Sequence, residues 1–153
     1  MTPDLDELVG ESALGDVLVR LRAAVLPRAE IKGWATVDLD RGQANRAPDL
    51  GALVVEPPVE DAILGARCRK LRFEDGQDVV LLEPSTEGPL AAGLARHGEC
   101  VLALYLLVGP NAPERARAAG FTTTAAAAGP FGAEQMVLTN PRDGPFLILA
   151  GLD

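Results

Sequence analysis

Leu64–Glu83 reads LGARCRKLRFEDGQDVVLLE, and Phe131–Ala150 reads FGAEQMVLTNPRDGPFLILA. Laid over one another at an offset of about 67 residues, both give an apolar residue, Gly-Ala, a strand-patterned run, an Asp-Gly turn and an apolar strand. Further upstream, GWATVDLDRGQANRA, from Gly33, lies similarly over ALYLLVGPNAPERARAAG, from Ala103. An offset of that length spans a whole supersecondary unit, so the chain reads as two βαβββ modules in an α+β fold. A single undivided α+β sheet would leave the double Gly-Ala and Asp-Gly coincidence unexplained.

Working outward, the spacing predicts strands over GWATVDL (33–39), GALVVE (51–56), ARCRKLRF (66–73) and DVVLLEP (78–84), with EDGQ as a turn. Pro84 stops the last of these because it cannot donate to a ladder. Ser85 or Thr86 can then cap a helix that Pro89 opens. Leu90 and Leu94 face the core, His97 lies in the last turn, and Gly98 follows as terminator. The second half repeats the order. CVLALYLLV is a strand, and NAPERARAAG is a helix capped by Asn111 and ended by Gly120. FTTTAAAAG, AEQMVLTN and PFLILAG are strands, with PRDG as a turn before the last. Residues 2 to about 28 read as an additional helix, with Thr2 as cap, Pro3 at the first position and an apolar stripe from Leu5 to Leu21. The expected division is 1–30 as an N-terminal helical extension, 31–84 as the first module, 85–100 as a connecting helix and 101–153 as the second module.

Composition narrows the partners. Fourteen basic residues against twenty-two acidic ones give a formal charge of −8 over 153 residues. That field repels phosphate backbones, and no basic cluster interleaved with aromatics offsets it, so nucleic acid is not expected as a partner. The acidic start MTPDLDELVGE is unlike a secretory signal, and the run VLALYLLV (101–108) is too short to span a bilayer. A cytoplasmic protein without membrane contact is expected. Cys68 and Cys100 form no CxxC pair and are read as buried thiols rather than zinc ligands. No GxGxxG or GxxxxGK[ST] loop occurs, so no nucleotide cofactor is expected.

The strand, LLEP, short helix and LARHGE of Leu81–Glu99 resemble the linker between the two modules of vicinal oxygen chelate proteins. Within that superfamily the likeness is to methylmalonyl-CoA epimerases, glyoxalases and bleomycin-resistance proteins. The resemblance covers about 120 residues from Ile31 onward. It implies two βαβββ units forming a half-open, eight-stranded cup, often in a homodimer, and often holding a divalent metal on the first and last strand of each module. In this sequence those positions fall at Gly33 or Trp34 (Ile31 in another register), Val80, Ala103 and Ile148. None of these side chains can ligate a cation, so no metal and no cofactor is expected here.

What remains is an apolar cup with a few polar groups, the character of a small-organic-ligand site. Trp34, Cys68, Val80, Ala103, Tyr105, Gln135 and Ile148 are the expected lining, with Cys68 and Gln135 corresponding across the modules. Three functions fit. The protein binds a small apolar or aromatic ligand without metal, as drug-binding relatives of the family do. Alternatively it is a metal-independent isomerase, lyase or cyclase using acid–base chemistry, for which Tyr105, Asp38, Glu83, His97 and Cys100 are the candidates. Glu83 has opposite strand parity to Val80 and so is expected to face away from the cup. His97 also has a purely structural reading, as a helix-end residue. The third reading is a dimeric interaction module whose cup is filled by its own side chains.

Overall fold

The computed structural model of the chain describes residues 14–50, 52–55, 57–73, 78–139 and 145–152. Along them run α1 (Leu14–Val25), β1 (Ala29–Ala35), α2 (Leu39–Leu50), β2 (Ala52–Val55), β3 (Val59–Asp61), β4 (Ala66–Phe73) and β5 (Asp78–Pro84). The second half holds α3 (Pro89–His97), β6 (Val101–Leu107), α4 (Ala112–Ala118), β7 (Ala127–Gly129), β8 (Gly132–Val137) and β9 (Phe146–Ala150). Thr2, Pro3, the apolar positions before residue 14, and the EDGQ and PRDG turns lie outside the described residues.

The strands form one sheet in the order β2-β4-β5-β1-β6-β9-β8-β7, with β3 sharing the edge of β4. β1 runs parallel to β5 and β6 parallel to β9, while β4/β5 and β8/β9 are antiparallel. An antiparallel β1/β6 seam joins the halves. Exchanging β1 with β6, β5 with β9, β4 with β8 and β3 with β7 leaves this pattern unchanged. The registers obey the same exchange. Gly33 pairs with Val80 as Tyr105 pairs with Ile148, and Gly33↔Ala103 mirrors Tyr105↔Ile31 across the seam. At the far ends the sheet curls until its tips meet, where the Ala62 amide donates to the Ala128 carbonyl at 3.0 Å. The result is an α+β, nearly closed cup.

Both faces of the central strands are apolar because both are covered. On the outer face, Leu18, Leu21 and Val25 of α1 and Ala112 and Ala116 of α4 pack on Trp34, Leu81, Leu104, Leu106, Leu147 and Leu149. Each buried leucine there stabilises the fold by about 1.5–3 kcal/mol relative to exposure. On the inner face, Ile31, Cys68, Val80, Leu82, Ala103, Tyr105 and Ile148 form a second buried cluster. α1 is helical for ordinary reasons: apolar residues recur three and four apart, Asp16 lies in its first turn and Arg22 in its last. Arg22 reaches the start of β1 with two bonds to Glu30, at 2.7 and 2.6 Å.

Several elements differ from the sequence expectation. β1 begins at Ala29 and ends at Ala35, so Thr36, Val37 and Asp38 of the expected strand are instead the approach to α2, which Leu39 opens. Asp38 caps that helix, its Oδ1 accepting from the Arg41 amide at 2.9 Å. Glu99 holds the strand end in place, accepting from Thr36 Oγ1 at 2.6 Å and from the Val37 amide at 2.9 Å. Those two bonds favour the Glu99 carboxylate and pull its pKa down. α3 is preceded by Gly88 with no side-chain cap. The Ser85 hydroxyl is used elsewhere, donating to the Gly65 carbonyl at 2.9 Å. FTTTAAAAG contributes only β7 and an isolated bridge from Thr123 to Val137.

Candidate functional site

The inner face carries one polar cluster, built around the three-residue strand β3. Asp61, at its end, is fully buried. The Tyr105 hydroxyl donates to Asp61 Oδ2 at 2.7 Å, and the Leu64 amide donates to Asp61 Oδ1 at 2.9 Å. Both oxygens of Asp61 therefore act as acceptors. Glu134 of β8 is also 0 % exposed. Neither of its oxygens has a protein donor within reach. Burial, then a hydrogen bond to Asp61 and the field of that carboxyl, push Glu134 up to about 10. The bond requires a proton on Glu134, because two carboxylates offer only acceptors.

The neighbours feel the same charges. Burial pushes the Cys68 thiol far up, and Asp61, Glu134 and Glu60 add to the effect. The Tyr105 phenol is raised well above its usual value by burial first and then by Asp61, Cys68 and Glu134. Tyr105 meets Phe131 edge-on, with ring centroids 5.5 Å apart and planes at 64°. The Lys70 ammonium stands 5.3 Å above the Phe131 ring. The Glu134 carboxyl lies against Gly129, where a Cβ would force it to move.

The structure brings together Val80, Ala103, Tyr105, Ile148 and Cys68 on the inner face. Trp34 does not join them. It packs with Leu18, Leu21 and Leu81 on the helix-covered side, because β1 alternates Ile31 and Gly33 inward and Trp34 outward. Gln135 also leaves the set. It pairs with Leu149, an outer-face residue, whereas Glu134 pairs with Ala150, an inner one. The residue equivalent to Cys68 under the pseudo-twofold is therefore Glu134, since Cys68 pairs with Leu82 just as Glu134 pairs with Ala150. Of the acid–base candidates, only Tyr105 lies in the cup. Asp38 caps α2, Glu83 sits 3.6 Å from Arg67 outside it, His97 is exposed at the end of α3, and Cys100 is buried near the β1/β6 seam. Desolvation raises the Cys100 thiol.

No protein-family model matches the sequence, and no curated protein matches it. Solved structures do match the fold. Methylmalonyl-CoA epimerase from Mycobacterium tuberculosis superposes with a TM-score of 0.72 at 19 % identity, covering 85 % of this chain and 90 % of that one. A variant of the Streptomyces coelicolor epimerase, in complex with 2-nitronate-propionyl-CoA, gives 0.66 at 21 %, covering 80 % and 92 %. A hypothetical protein from Bacillus halodurans gives 0.64 at 16 %, covering 80 % and 94 %. This is the vicinal oxygen chelate fold.

Within that fold, the strand positions that the resemblance marks for a metal do not fit one. Gly33, Val80, Ala103 and Ile148 meet at the seam and its flanking strands, and none has a donor atom on its side chain. A Cβ on Gly33 would lie 2.9 Å from both Ala103 Cβ and Leu82 Cδ1, so apolar atoms fill the space around it. Among the described residues, no group of three or more His, Cys, Asp or Glu is arranged to hold a metal ion. Likewise, no described helix is long and apolar enough to cross a membrane. The acid cluster lies on β3, β8 and β6, and neither Asp61 nor Glu134 is among the site residues expected from the sequence.

Proposed function

We propose that the protein holds a small organic molecule in the cup without a metal ion, the molecule's polar end addressed by Asp61, Glu134 and Tyr105. The observation that carries this reading is Glu134, a fully buried carboxyl that no protein donor reaches. Burying such a group costs the free fold stability, and groups of that kind concentrate where a ligand or a reaction uses them. The apolar walls formed by Val80, Leu82, Ala103 and Ile148 suit the hydrophobic body of a ligand. A fold neighbour that carries 2-nitronate-propionyl-CoA is consistent with a small organic occupant.

The test is thermal-shift and calorimetric titration in the presence of a chelator, against hydrophobic acids, acyl-CoA thioesters and aromatic metabolites. A ligand that binds the native state raises its melting temperature in proportion to the logarithm of its concentration. Binding that survives the chelator and weakens in Glu134→Gln supports the reading. Binding only with an added divalent ion, or equal binding by the variant, overturns it.

A second reading has its own observation. A buried carboxyl whose proton affinity is raised, set beside a second buried carboxyl, is the equipment of a proton-transfer isomerase or lyase. It predicts deuterium exchange from solvent into a bound carbon acid, lost in Asp61→Asn. The homodimer that the resemblance implies belongs to the same reading and is tested by the mass of the protein in solution.

A further inference from the structure

The inner face offers the Asp61–Glu134 pair a ligand of definite charge. Asp61, Glu134 and Glu60 raise the proton affinities at the site, and the Lys70 ammonium lies over Phe131 at its edge. Asp61 has both oxygens committed to Tyr105 and Leu64. Glu134 is the member left over, wholly buried, with no donor from the protein at either oxygen. It holds its own proton because a second anion beside Asp61 is too expensive in a dry site. A neutral or anionic guest cannot remove that expense. A cation with N–H donors can, because it supplies both the missing charge and the missing hydrogen bonds.

The surroundings favour an ammonium in particular. Phe131 and Tyr105 meet edge to face beside the pair, and the chain's own Lys70 ammonium already rests 5.3 Å over the Phe131 ring. Aromatic surface next to paired carboxyl groups is the chemistry that recognises a protonated amine carried on an apolar body.

We infer that the Asp61–Glu134 pair is the receiving site for the protonated amino group of a small hydrophobic amine. This rests on the reading that the cup holds a small organic molecule. On binding, Glu134 gives up its O–H proton to solvent and the ammonium N–H groups take its place. One proton leaves for each cation that enters, and the net charge of the pair plus ligand is unchanged. Asp61, Cys68, Tyr105 and Lys70 are the other ionisable groups facing the site, and Glu60 acts on it from the exposed side of β3. Of these, Lys70 competes electrostatically with the guest.

The experiment uses the full chain and three probes of one shape: benzylammonium, benzyl alcohol and benzoate. Calorimetry at pH 8 in two buffers of different ionisation heat counts the protons released. Benzylammonium is expected to bind at least tenfold more tightly than either of the others, releasing about one proton. In Glu134→Gln, proton release is lost and the tenfold preference collapses, while the affinity for benzyl alcohol is retained. Asp61→Asn, checked for native circular dichroism, serves as a second variant with the same expected loss of preference. If benzyl alcohol or benzoate binds as well as the amine, or the amine binds without releasing a proton, the amine assignment fails and the small-molecule reading stands. If none of the three binds, the amine assignment fails, and the wider ligand screen decides the small-molecule reading by itself.

Discussion

The hydroxyl of Tyr105, on the central strand β6, donates to Asp61 Oδ2 at 2.7 Å, tying the middle of the sheet to the short strand β3 across 44 positions of sequence. Tyr105→Phe removes the phenol donor to Asp61 Oδ2, one of the hydrogen bonds that hold this buried carboxyl. The variant is expected to lose about 1–3 kcal/mol of stability. Urea denaturation checks it. A variant as stable as the parent would mean that Asp61 finds another donor.

Glu134 makes stability depend on pH, with a sign opposite to that of a salt-bridged carboxylate. The folded chain keeps the Glu134 proton up to about pH 10, whereas the ordinary value is 4.5. The unfolded chain therefore binds fewer protons between those limits, so the fold weakens as pH rises through that window. Its full contribution is present only below about 4.5. The slope is at most about 1.4 kcal/mol per pH unit. Glu134→Gln keeps the shape, can donate to Asp61 and carries no titrating group. It is expected to be more stable than the parent at pH 7, by on the order of 2 kcal/mol, with the gap widening at pH 9 and narrowing at pH 5. Parallel stability curves for parent and variant would contradict this.

Gly33 lies in the seam with no room for a side chain, since a Cβ there would come within 2.9 Å of Ala103 and Leu82 atoms. Gly33→Ala is expected to cost about 1–3 kcal/mol through overpacking. Gly33→Ala combined with Leu82→Val should recover part of that loss, because the shorter side chain withdraws the clashing methyl. Chemical denaturation of both variants supplies the comparison.

The two thiols should differ from ordinary ones in native protein. Cys68 is wholly buried among acids and Cys100 is nearly so, and both are shifted away from the thiolate. Alkylation by iodoacetamide at pH 8 is expected to be much slower than for a free thiol at both positions, with Cys68 the slower. Mass spectrometry before and after unfolding reads the order. Rapid native labelling of Cys68 would show that the cup opens often.

Much of the fold is legible in the sequence because its signals are local. β4 and β5 begin and end where the strand patterns ARCRKLRF and DVVLLEP do, and α3 runs from Pro89 to the residue before Gly98, whose φ of 75° marks the expected glycine terminator. The duplication is legible too, but its register is not. The matching Gly-Ala pairs suggest Cys68 opposite Gln135. The turn before β4 spans residues 62–65, while only residues 130 and 131 separate β7 from β8. Gly65 thus lies inside a turn and Gly132 opens a strand. A slip of one residue sends a side chain to the opposite face, which is why the sequence points to Gln135 inside and passes over Glu134. Asp61 is hidden for a different reason. Its strand is three residues long and follows Pro57 and Pro58, too short for any alternation to declare itself. The resemblance leaves the first strand's register open between Gly33 and Trp34, whereas strand parity puts Trp34 under the helices.

The equivalence of Cys68 and Glu134 under the exchange of halves has one more consequence. A basin made from two matching halves would offer a guest two interchangeable ways of lying in it. Here one half presents a sulfur and the other an oxygen acid, so the basin has a head and a tail. Any occupant with one charged end must settle in a single direction.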